Sequence, residues 1–179
     1  MVDLPARQQR LLESPLVSAA ADQEQSLARS YEEQHVHSTT LEQGEPVPKL
    51  SEQHQAFLRN PYYGVVTTLR EDGSPHNTVV WVDVDEDAVI FNTAEGRAKP
   101  EHLRNDGRAA MTVVDPANPY RWLAVSGPAA LSHEGADAQI DKLSEKYTGN
   151  PEYQSRQPGE QRVNVRISPE QVDATGFKS

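Results

Sequence analysis

The chain predicts a mainly β, α+β fold: a small antiparallel barrel of six short strands with short helices, built by residues 51–179 behind an amino-terminal arm, 1–50. Three observations predict it. Short runs rich in Val and Thr recur from residue 63 onward, tight-turn chemistry such as Asp72-Gly73 separates them, and helical spacing is confined to brief segments.

Taken in order, residues 1–49 are rich in Gln, Glu, Ser and Ala and close on Gly44, Pro46 and Pro48, the composition of an arm and linker. Leu11, Leu12, Leu16, Val17, Leu27 and Tyr31 recur at spacings a docking helix uses, but Pro15 interrupts them. His35 and His37 have no third ligand nearby, so no metal site is expected. Ser51 caps a short helix through Arg59, with Ala56, Phe57 and Leu58 as its apolar contact, before Asn60 and Pro61 end it. Strands follow over 63–70 and 76–84, joined by Glu71-Asp72-Gly73-Ser74. After a turn at 85–87, a third strand spans 88–93. Two more, 109–114 and 121–131, flank a loop at 115–119 whose prolines remove donors and forbid a simple ladder. A helix over 136–147 puts Ile140, Leu143 and Tyr147 on one face, with Gly149 as its C-terminal cap, and a last strand covers 162–167. Val79, Val80, Trp81, Val82 and Val84 alternate poorly, as do Trp122, Leu123, Ala124 and Val125. One strand face then fills the barrel and the other meets a second copy, which predicts a homodimer.

The segment from Asn92 to Arg108 carries the chemistry. Pro100 reads as the first residue of a short helix ending at Asn105, which leaves Lys99 at the cap. Lysine cannot accept from the first-turn N–H groups, and its charge sits at the positive end of the helix dipole. A bound phosphate resolves both problems, gripped by Arg97 and Lys99 through charge-assisted hydrogen bonds of roughly 1.5–3 kcal/mol each. The competing reading is a solvated loop in which Glu95 and Glu101 pair with the two cations.

Composition narrows the function classes. A net charge of −10 argues against a broad nucleic-acid or anionic-membrane partner. The absence of cysteine removes thiol chemistry and Cys-ligated metal, and no run approaches the ~18 apolar residues of a membrane span. A soluble cytoplasmic protein acting on a small molecule is expected. No nucleotide-fold Gly-rich loop, His-Glu-x-x-His helix or Gly-x-Ser-x-Gly elbow occurs.

The run Tyr63-Gly64-Val65-Val66-Thr67-Thr68-Leu69, then Asp72-Gly73-Ser74-Pro75-His76, Val79-Val80-Trp81, Asn92-Thr93, Gly96-Arg97-Ala98-Lys99 and Leu103-Arg104-Asn105-Asp106, resembles the split β-barrel flavin-binding superfamily of pyridoxamine 5′-phosphate oxidase. The stretch from Asp115 to Trp122, Gly127, Lys146-Tyr147-Thr148-Gly149 and Arg162-Val163-Asn164-Val165 resemble its deazaflavin-using branch. The resemblance implies a dimeric six-stranded split barrel holding coenzyme F420, or alternatively FMN, in a groove between subunits. It implies that Arg97 and Lys99 bind the cofactor phosphate and that Asn92 and Thr93 line the same pocket. His76, Asn77, Thr78, Val79 and Val80 would pass along the ring system, and Tyr120, Arg121 and Trp122 would form the opposite wall from the partner chain. Burial in core or interface is the simpler reading of Trp81 and Trp122, as a surface position is of His76. The implied activity is hydride transfer between a reduced deazaflavin and an electron-poor C=C or C=N bond of a small organic substrate. An FMN-dependent oxidoreductase of the same fold, and a non-catalytic flavin- or haem-binding module, stand as alternatives. The ending 173–179 lacks the Arg- and Trp-rich segment of the name-giving oxidase, so vitamin-phosphate oxidation is not expected.

Overall fold

A computed structural model describes residues 50–85 and 88–177; the arm up to residue 49, with His35 and His37, and residues 86 and 87 of the expected turn lie outside the described residues. Helix α1 (Glu52–Leu58) begins where expected, the Ser51 hydroxyl accepting from the His54 amide at 3.2 Å. It delivers Phe57 and Leu58, both fully buried, to the core.

Strands β1 (Gly64–Leu69) and β2 (Pro75–Val80) form the predicted hairpin, in register from Gly64↔Val80 to Leu69↔Pro75. Gly73 takes the left-handed conformation the turn needs, and the Asp72 carboxylate accepts from the Ser74 amide at 2.9 Å. The single strand expected over 76–84 is instead two. The chain breaks at Trp81 and resumes as β3 (Val82–Asp85), which lies at the opposite end of the strand order. The break is stable because two side chains replace the missing ladder bonds. The Val82 amide donates to the Tyr147 hydroxyl at 2.9 Å, and the Lys146 ammonium donates to the carbonyls of Val82 and Leu58, both at 2.6 Å.

Strand β4 (Ala88–Ala94) is buried along its whole length and pairs with β3 on one side and β7 (Arg162–Ile167) on the other. Strands β5 (Arg108–Asp115) and β6 (Asn118–Ser132) form a second hairpin. The expected proline-blocked loop is a tight turn instead, because the Asp115 carboxylate caps the Ala117 amide at 2.9 Å and Pro116 sits where no ladder donor is needed. Strand β6 serves both halves of the sheet. Its first part pairs with β5 and with β8 (Gln171–Thr175), and its last four residues pair with β7. Gly127 marks the switch: a Cβ there would lie 2.0 Å from the Ser168 carbonyl.

The sheet therefore has eight strands rather than six, ordered β2-β1-β5-β6-β7-β4-β3 with β8 on β6. The extra two arise from the break at Trp81 and from β8, whose polar sequence is held by main-chain pairing rather than by an apolar face. Phe57, Phe91, Met111, Leu123, Val165 and Ile167 lie in one core. Helix α2 (Ala98–Asn105) follows β4, and α3 (Ala136–Thr148) follows β6, stopped by Gly149 at φ 76°.

Candidate functional site

Strand β4 ends at a cleft of about 310 Å³ whose walls also come from the end of β2, the start of α2, α3 and the segment 149–161. Of the sequence-predicted residues, Val79, Val80, Asn92, Thr93, Arg97 and Lys99 line this one space. Thr78 joins them through its hydroxyl, which accepts from the Lys99 ammonium at 3.1 Å.

Helix α2 starts two residues earlier than expected. Arg97, not Lys99, is its N-cap residue, and Pro100 is the third helical residue. The first-turn N–H groups have no intrahelical acceptor, so proline is tolerated at any of these positions. The central expectation survives the shift, since no side chain caps the helix.

The predicted pairing of the two cations with Glu95 and Glu101 does not occur. Glu95 is taken by Arg104 at 2.5 Å and His133 at 3.1 Å, and Arg97 pairs instead with Glu160 at 2.9 Å. Lys99 makes no ion pair among the described residues. Burial, and then the Arg97 charge, lower its pKa from the usual lysine value. Beside it, the Thr93 hydroxyl is 1% exposed and has no hydrogen-bond partner among the described residues. An uncapped helix start and a half-buried ammonium without a carboxylate line the same cleft, a donor set that can receive an anion. This donor set fits a phosphate.

Behind the cations stands a network that sequence reasoning missed. Arg162, at the start of β7, is 3% exposed; it donates through Nε to the side-chain Oδ1 of Asn92 at 2.8 Å and through Nη1 to Glu160 at 3.0 Å. Asn92 completes its own hydrogen bonding by donating to the Ala136 carbonyl at 2.8 Å and to Asn164 at 2.9 Å. Its amide is thus spent on holding β4, α3 and Arg162 together. Burial works to raise the Glu160 carboxyl, and Arg162, the Gln157 amide and Arg97 outweigh it, leaving its pKa below the usual carboxylate range.

The rest of the cleft is aromatic and aliphatic. Trp81 lines it and stacks on Tyr147 at 5.3 Å and 12°, with Tyr153 edge-on at 5.9 Å. Tyr63 also lines it and is 58% exposed, and Val79 is 66% exposed. The sequence places none of Tyr63, Tyr153, Ser155 and Arg162 in the site, although Tyr63 and Arg162 open two of the motifs that carry the resemblance. The alternation of Arg162, Asn164 and Arg166 with valine and isoleucine was the available signal for Arg162; the others lie on segments whose path no local pattern reveals.

The remaining predicted residues stand elsewhere in this chain. His76 packs edge-on against His102 at 5.1 Å, and Asn77 accepts from the Thr67 hydroxyl at 2.7 Å, so neither lines the cleft. Arg121 lies over the Phe57 and Phe177 rings, 5.2 Å from each, and 3.6 Å from Asp115, while Tyr120 is exposed and Trp122 sits on β6 opposite Val114.

Fold and cleft define the class. The chain belongs to the pyridoxamine 5′-phosphate oxidase family, whose profile matches residues 50–176. Within that class it is 32% identical over 126 residues to a biliverdin reductase of Mycobacterium tuberculosis that depends on reduced coenzyme F420; the match covers 69% of this chain and 87% of the relative. A solved F420 reductase superposes with a TM-score of 0.60 at 28% identity, over 69% of this chain and 98% of that one. A conserved hypothetical protein of Mycobacterium tuberculosis, 24% identical over 75% of this chain and 89% of its own, shares the fold with a TM-score of 0.59. Among the described residues no helix is long and apolar enough to cross a membrane.

Proposed function

We propose that the protein is a coenzyme F420-dependent reductase acting on an electron-poor C=C or C=N bond of a small organic substrate. The observation that carries this reading is that Lys99 and the uncapped start of α2 share one cleft of about 310 Å³ with Val79, Val80 and Trp81. Similarity to two F420-dependent reductases supports the deazaflavin over FMN.

Arg97 and Lys99 hold the phosphate. Val79, Val80 and Trp81 lie along the ring and keep water from its face. Asn92 acts one step back, fixing Arg162 and through it Glu160. When bound, the reduced deazaflavin supplies the hydride. The chain needs no nucleophile for such a transfer.

A homodimer completes the cleft in this reading. The outward face of β1, β2, β5 and β6 carries Val65, Val79 and Val114, each at least 41% exposed, with Val65 paired to Val79, Val114 to Trp122, and Thr112 between Val65 and Ala124. A second copy on that face covers the apolar residues, and its Tyr120, Arg121 and Trp122 form the far wall.

Titration of the purified chain with F420 and with FMN, read by tryptophan quenching and thermal shift, tests the proposal. Preferential binding of F420, followed by oxidation of its reduced form on adding biliverdin or other conjugated acceptors, supports it. Preference for FMN moves the protein to the flavin-using branch, and binding without turnover across a broad acceptor panel favours a non-catalytic carrier.

A further inference from the structure

Glu160 stands out because an acid is out of place beside a site that receives an anion. Its carboxylate is 8% exposed, and one oxygen accepts from both Arg97 at 2.9 Å and Arg162 at 3.0 Å. Arg97 and Arg162 both line the cleft, and Glu160, which does not, bridges their guanidinia. Its segment is itself anchored: Arg156 pairs with Asp141 at 2.9 Å and with Asp137, and the Tyr153 amide donates to Asp141 at 2.9 Å. The carboxylate is therefore held where a phosphate on Arg97 must feel it.

The two candidate cofactors differ in the charge of that phosphate. FMN carries a monoester, close to a dianion above its second pKa of about 6. F420 carries a diester, which has one ionisable oxygen and stays a monoanion. Repulsion by a fixed carboxylate scales with the charge of the phosphate group it faces, so its penalty on the logarithm of affinity is twice as large for the dianion.

We infer that Glu160 is a specificity-determining residue that tunes the Arg97–Lys99 receptor toward a phosphate diester and against a monoester. It also limits how much of Arg97 the ligand can recruit, leaving Lys99 as the unshared cation. This inference rests on the F420 reading and refines it: the receptor is cationic enough to bind a phosphate, and the acid behind it sets which ester is preferred.

The test is a charge series on the full chain and its Glu160→Gln variant at pH 8 and low salt. Four ligands are titrated: FMN, riboflavin, F420 and the deazaflavin alcohol that lacks the phosphate. Glu160→Gln is expected to tighten F420 on the order of tenfold and FMN on the order of a hundredfold, leaving the two phosphate-free ligands unchanged. The wild-type preference for F420 over FMN narrows accordingly. Equal changes for all four ligands, or weaker binding of both phosphates with an unaltered thermal midpoint, overturn the inference and leave Glu160 as a brace for Arg97.

Because Arg162 is buried, Glu160→Gln can fail to fold, and Glu160→Asp covers that case. It keeps the charge and is expected to keep the wild-type ratio of F420 to FMN affinities; a ratio shifted by tenfold or more overturns the inference. Failure of the underlying reading looks different, since the wild-type chain then binds neither phosphate more tightly than its phosphate-free counterpart.

Discussion

Replacing Lys99 with Met separates binding from stability, because the two respond in opposite directions. The substitution keeps the aliphatic stem and removes the charge. Among the described residues Lys99 Nζ hydrogen-bonds only a neutral hydroxyl, that of Thr78, so its full charge is available to a ligand phosphate. One charge-assisted hydrogen bond is worth about 1.5–3 kcal/mol, which is roughly a 10- to 150-fold loss of F420 affinity. Arg97 already shares its guanidinium with Glu160, so Arg97→Ala is expected to cost about tenfold, at the lower end of that range. The stability sign follows from linkage. Burial and Arg97 lower the Lys99 pKa, so at neutral pH the folded state holds that proton less tightly than the unfolded state does. The charge opposes folding there, and its cost fades as pH rises through the lowered pKa toward the ordinary lysine value. Lys99→Met therefore leaves the ligand-free thermal midpoint equal or raised at pH 7. Isothermal titration and thermal denaturation of both variants check this. Unchanged affinity in Lys99→Met, or a larger loss in Arg97→Ala than in Lys99→Met, refutes the assignment.

Three further outcomes follow from the fold. Tyr147→Phe leaves the Val82 amide and the Tyr62 carbonyl without their hydroxyl partner and should cost about 1–3 kcal/mol, a loss of several degrees in thermal midpoint. Burial pushes the Tyr147 hydroxyl up to about 12 from 10.0, so the wild type holds that contribution below pH 10 and loses it as pH rises through 12, a dependence Tyr147→Phe should lack in alkaline melts. Gly127→Ala drives a Cβ into the Ser168 carbonyl and should destabilise the chain by more than ~3 kcal/mol, read as a collapsed urea midpoint or insoluble expression. Val114→Glu, on the outward sheet face and away from the cleft of its own chain, should shift the protein to the mass of one chain in sedimentation and weaken F420 binding; a dimer of unchanged affinity counts against the proposed second wall.

Local chemistry made much of this fold legible. Ser51, Asp72-Gly73 and Gly149 each act within a few residues, and each does in the structure what its side chain or its missing Cβ dictates. The errors fall where distant partners decide. Nothing near Trp81 announces a strand break; it exists because Lys146 and Tyr147, more than sixty positions away, satisfy the Val82 main chain. Strand β8 has almost no apolar alternation and forms because β6 offers it a free edge. The cleft divides in the same way. Arg97 and Lys99 are legible as cleft residues because a cation at a helix start is a local anomaly, although the helix begins two residues before Pro100. Glu160 and Arg162 are not, since a carboxylate between two guanidinia becomes visible only when the β4–α2 connection and β7 meet.

The stacking of Trp81 on Tyr147 has a practical consequence. The chain has two tryptophans, and they occupy different places: Trp81 on the cleft wall, Trp122 on β6 away from it. A Trp122→Phe protein carries one emitter that watches a ligand settle against its own chain. A Trp81→Phe protein carries one emitter outside the cleft of its own chain, which is quenched more strongly when a neighbouring copy brings its ligand against it. Two emission titrations thus divide the walls of the pocket between one subunit and two, without a label or a crystal.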